Sequence, residues 1–167
     1  MKPLATLAAA ALAGLALAAP VKAGGADAEV LVNLLEKSGT EVSFNTNKFD
    51  KNCINNKGYY IYEHKVQDLL VVCVDQVNTD DGEEVWEVLA HETTHAMQAC
   101  MGGTVFETTY HPRFYRELGR KAPHSAELLN KGYGHRDAAS EVEAFWMELQ
   151  SPEKVMNLFV EACLKTN

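Results

Sequence analysis

Apolar residues follow two different repeats along the chain. After Asp27, the residues Val30, Leu31, Leu34 and Leu35 share one helical face and Gly39 closes the run, which predicts a first helix. The stretch from Asn45 to Gly58 is polar, carries five asparagines and reads as loop. Tyr59-Tyr60-Ile61-Tyr62 and the apolar run Leu69 to Val74 are rich in strand formers, and the polar segment between them predicts an antiparallel hairpin. The helical repeat then returns. Thr79, Asp80 and Asp81 are possible caps, Glu83 and Glu84 favour a helix start, and Val85, Val88, Leu89, Ala96 and Ala99 recur until Gly102-Gly103. Thr104 to Gly134 is irregular, with short helices possible at Arg113–Leu118 and Ala126–Asn130. A helix after Asp137 carries Val142, Phe145, Trp146 and Leu149, and Ser151-Pro152 opens a last one with Val155, Leu158, Phe159, Ala162 and Cys163. The expected class is α+β, a small antiparallel sheet packed against helices.

The first 23 residues stand apart. A basic start, an apolar run from Leu4 to Ala19 broken by Thr6 and Gly14, and the ending Val21-Lys22-Ala23 predict a signal peptide over 1–23. The run is shorter than the ~20 apolar residues a membrane anchor needs, so cleavage and export to a periplasm or the exterior are expected, with no stable anchor afterwards. Residues 24–167 then form a single domain, since no repeat, linker or low-complexity tract divides them. Of the 167 residues 47% are hydrophobic and 23% charged, which excludes collagen-like, coiled-coil and wholly disordered chains. The formal net charge of −8 becomes more negative without Lys2 and Lys22, and no basic cluster offsets it, which argues against nucleic acid or an anionic membrane as partner. In an exported chain Cys53, Cys73, Cys100 and Cys163 suggest two disulfides. Three pairings exist, of which Cys53–Cys73 and Cys100–Cys163 join neighbouring predicted elements.

Within the long helix stands His91-Glu92-Thr93-Thr94-His95. Histidines at i and i+4 lie about 6 Å apart along a helix axis and can reach one ion. Zinc accepts neutral imidazole nitrogen and keeps a position for water in catalytic sites, and a glutamate directly after the first histidine is placed to take that water's proton. Glu92 falls inside the apolar stripe, where an unpaired carboxylate would cost several kcal/mol and calls for a partner.

The segment Val88 to Met97 resembles the active-site helix of the HExxH zincin metallopeptidases. It is not similar to the metzincin branch, whose later glycine and third histidine are replaced by Gln98 and Met101. The gluzincin branch takes a third ligand from a glutamate on a later helix, and Ser140-Glu141-Val142-Glu143-Ala144-Phe145 offers one. Position on the wheel leaves Glu141 and Glu143 open. The resemblance implies that Zn2+ is held by His91, His95 and Glu141 and that Glu92 is the catalytic base, in a compact secreted peptidase acting on peptides or proteins. Phe145 stands where that branch has an Asp or Asn supporting a histidine. Fold analogy also suggests that Leu69–Val74 offers an unpaired edge to an extended substrate. Tyr110, His111, His124, Tyr133 and His135 are candidate stabilisers of a developing oxyanion. Two other readings go with the same residues, a zincin-like domain that binds a peptide or protein without cleaving it, and a metal-dependent amidase acting on a non-protein substrate.

Overall fold

The computed structural model describes residues 25–132 and 138–165; the leader predicted over 1–23 lies outside them. Helix α1 (Gly25–Ser38) buries Ala28, Leu31 and Leu35. It ends where Gly39 takes a φ of +103°, a left-handed conformation that favours glycine. The chain continues through β1 (Glu41–Asn45), a short 3₁₀ turn (Lys51–Ile54), β2 (Gly58–Glu63) and β3 (Gln67–Cys73). Helix α2 (Gly82–Met101) follows, then α3 (His111–Lys121), α4 (Pro123–Gly132), α5 (Ala138–Glu148) and α6 (Pro152–Phe159), with a closing π-turn at Val160–Leu164.

The α+β class is as expected, but the sheet is mixed rather than antiparallel. Its order is β1-β3-β2. β2 and β3 form the expected antiparallel hairpin, with Tyr60 opposite Leu70, whereas β1 lies parallel to β3, with Val42 opposite Leu70. β3 is therefore central, and its apolar run has a physical reason. Leu70 and Val72 enter the main core while Val71 and Cys73 pack with Cys53 on the other face. A strand buried on both faces reads as a continuous apolar run. Both its edges are hydrogen-bonded, so the expectation that Leu69–Val74 offers an unpaired edge is corrected; the edge strands are β1 and β2.

Two proline-led helices replace most of the irregular stretch from Thr104 to Gly134. Pro112 sits in the first turn of α3, where its missing N–H costs nothing, and Pro123 opens α4. Phe114 and Leu118 anchor α3, and the Phe114 ring stacks on Trp146 of α5 at 4.1 Å. Cys53 is bonded to Cys73 and Cys100 to Cys163, the expected pairs. The second ties the end of α2 to the end of the described chain. Among the described residues no helix is long and apolar enough to cross a membrane.

Candidate metal centre

Helix α2 is built to hold its two histidines still. Asp81 caps it, its side chain accepting from the N–H groups of Glu83 (3.0 Å) and Glu84 (3.4 Å). Val85, Val88, Leu89, Ala96 and Met97 bury one face, and Gly102 ends the helix with φ +69°. The His91 and His95 rings stand edge to face with centroids 5.1 Å apart. Their side chains remain 14% and 19% exposed, enough for an ion and a water to reach them.

Glu141, in the first turn of α5, meets both rings. Its Oε2 is 3.4 Å from His91 Nε2 and its Oε1 3.5 Å from His95 Nε2. One ligand atom from each of His91, His95 and Glu141 lies within 4.8 Å of the others. Ligand atoms this close together can share one metal ion. The far ring nitrogens are engaged elsewhere. His91 Nδ1 is 2.7 Å from Glu148 Oε1, and His95 Nδ1 is 2.9 Å from Gln98 Oε1. With both acceptors on Nδ1, each ring turns Nε2 towards Glu141, the arrangement in which imidazole ligates a metal.

The supporting carboxylate on His91 was missed from the sequence. Phe145 packs edge-on against the His91 ring at 4.8 Å, and Glu148, further along the same face of α5, makes the hydrogen bond expected of an Asp or Asn at position 145. Of the two glutamates, Glu141 is the one that groups with the histidines. Glu143 is fully buried and points away from the histidine Nε2 atoms, accepting from Gln98 Nε2, Val105 N, Phe106 N and His111 Nε2.

Charge is unevenly shared in this cluster. Burial works against a charge on His91, but hydrogen bonds to Glu141 and Glu148 outweigh it and push its pKa up to about 10. Burial, with His91 next to it, pushes His95 down. Glu92 is 7% exposed, and burial raises its carboxyl to about 7, with His91 opposing the rise and Glu141 and Glu148 adding to it. A carboxyl poised near neutrality is suited to accepting and returning a proton.

A cleft of about 410 Å³ opens over His91 and Glu92, between Gly58 at the start of β2 and His124 and Leu128 of α4. A neighbouring hollow of about 620 Å³, reaching the first turn of α1, shares Glu87 and Glu148 with it. Gly58 sets the distance between β2 and α2. A Cβ there would lie 2.6 Å from Val88 Cγ1, 3.0 Å from the Val71 carbonyl and 3.1 Å from Glu92 Cγ. Gly58→Ala is therefore expected to destabilise the fold by about 1–3 kcal/mol through overpacking. Thermal unfolding measures it, and an unchanged midpoint would refute the close approach.

Of the five candidates for oxyanion stabilisation, His124 lines the cleft. Tyr110 is exposed, His111 is committed to Glu143, and Tyr133 and His135 lie outside the described residues. A family model described as "Domain of unknown function (DUF8637)" matches residues 21–164. No curated protein and no solved structure matches the chain.

Proposed function

The chain belongs to the DUF8637 family, and on the chemistry of its own residues we propose that it is a zinc-dependent hydrolase of peptide bonds. The observation that carries this reading is the convergence of His91 Nε2, His95 Nε2 and the Glu141 carboxylate while both Nδ1 atoms are taken up by other groups. An imidazole pair and one carboxylate form the donor set of a catalytic zinc site, and here His91 and Glu92 line a cleft. Zinc bound there would lower the pKa of a water and polarise the substrate carbonyl.

The chain's own groups supply the rest. Glu92 stands beside the histidines at the cleft wall, takes a proton from the attacking water onto its carboxylate and returns it to the departing amide nitrogen. A domain that only binds a peptide has no need of a buried glutamate beside the histidines. Of the five candidate stabilisers, His124 is the one among the described residues that lines the cleft, where it could donate to the oxygen on which negative charge develops. Two disulfides suit a compartment that does not reduce them, which together with the predicted leader supports export.

The test is a mixed peptide library incubated with the purified protein, with and without chelator, read by mass spectrometry beside a metal analysis. One zinc per chain and cleavage that stops with chelator are expected. Stoichiometric zinc with no cleavage would favour the non-cleaving binding domain, and chelator-sensitive hydrolysis confined to non-peptide amides would favour the amidase. Protein that takes up no zinc would end the proposal.

A further inference from the structure

We infer that Gln98, anchored by the buried Glu143, is a positioning residue that fixes His95 and the turn of α5 carrying Glu141 as one unit; the inference rests on the metal-site reading above. Gln98 lies one helical turn beyond His95 on α2. Its Oε1 accepts from His95 Nδ1 at 2.9 Å, and its Nε2 donates to the Ser140 carbonyl and to Glu143 Oε2, both at 3.0 Å. A primary amide has one acceptor end and two N–H groups, and all are used here.

The orientation of that amide is not free. A carbonyl and a carboxylate can only accept, so the end facing Ser140 and Glu143 must be the nitrogen. The oxygen is then the end that meets His95, which requires the ring hydrogen on Nδ1 and leaves the Nε2 lone pair for an ion. Glu143 is held in turn by the N–H of Val105 (2.8 Å), the N–H of Phe106 (3.0 Å) and His111 Nε2 (2.9 Å), so the group that dictates the orientation is itself fixed. Ser140 directly precedes Glu141. One carboxamide therefore holds a histidine on α2 and the backbone next to the carboxylate on α5. The two histidines differ in support, His91 having a carboxylate and His95 a neutral amide that also bridges two helices.

Zinc affinity measured by competition with a chromophoric chelator, and the visible spectrum of the Co2+-loaded protein, test this without relying on activity. Gln98→Leu keeps the volume and leaves Glu143 with its other three donors. It is expected to weaken zinc binding by roughly 10–100-fold and to alter the cobalt bands. Gln98→Glu separates this role from simple acceptance of the His95 proton. A carboxylate there would be a stronger acceptor for His95 but has no N–H for Ser140 or Glu143 and sets two carboxylates face to face, so weaker binding is expected again. Leu31→Val, which loosens the core on α1, is the control and should leave zinc affinity unchanged. If both Gln98 variants bind zinc and cobalt as wild type does, the inference is overturned while the metal site stands. If wild type binds neither ion, both readings fall together.

Discussion

On the hydrolase reading, Glu92→Gln is expected to retain zinc binding and to lose peptide cleavage by about 10²–10⁴-fold, the contribution of a positioned general base. The carboxamide occupies the same space beside Val88 and Gly58 but cannot take a proton. Zinc content and kcat/KM on a cleaved peptide are the measurements, and a variant that cleaves at the wild-type rate would remove Glu92 from the reaction. The same substitution has a second consequence, in the chelated protein. Glu92 titrates near 7 when folded against an ordinary 4.5, so the folded state holds its proton more tightly than the unfolded chain does. Its contribution to stability is whole below about pH 4.5 and is lost as pH rises towards 7, because the buried carboxylate must then ionise. At 1.36 kcal/mol per unit the loss approaches about 3 kcal/mol. In excess chelator Glu92→Gln should match wild type in acid and exceed its stability at pH 8. Equal denaturation midpoints at pH 8 would mean that burial does not strain the carboxylate.

The part of this centre that lies within one helix was legible in the sequence, and the part that depends on two helices meeting was not. The i, i+4 repeat places His91 and His95 together whatever surrounds them. Glu141 was reached only through resemblance, since its wheel position and that of Glu143 flank the stripe alike. What separates them is contact: α5 packs along α2 so that one flank faces the histidines and the other meets the N–H groups of Val105 and Phe106. Glu148 carried a signal that was overlooked. It falls two helical turns after Glu141, on the same face, so a glutamate there can support a ligand when the residue one turn nearer is Phe145. β1 was hidden differently. Val42 and Phe44 do alternate, but a five-residue strand beside an asparagine-rich loop is a weak pattern, and its parallel pairing with β3 is a long-range choice that no local repeat encodes.

Glu141→Ala and Glu143→Ala should fail in opposite ways, which makes the pair the strongest test of how α5 divides its work. Glu141 presents its carboxylate to two imidazoles at a partly open site, 14% exposed. Its removal should cost more metal affinity than the roughly 10–100-fold typical of losing a supporting group, leaving a folded protein with two histidines and little zinc. Glu143 is fully buried and accepts four hydrogen bonds. Alanine there leaves the donors of Gln98, Val105, Phe106 and His111 without an acceptor, at about 1–3 kcal/mol for each one that water cannot reach. Even two donors left dry, at about 2–6 kcal/mol together, would be a large share of the roughly 5–15 kcal/mol that holds a domain folded. Chemical denaturation and zinc content, measured on both variants, separate the outcomes. Glu141→Ala should unfold near the wild-type midpoint with its zinc gone, and Glu143→Ala should unfold far earlier. A folded, zinc-free Glu143→Ala beside a zinc-loaded Glu141→Ala would exchange their roles, because a ligand's loss is felt first by the ion and a buried anchor's loss first by the fold.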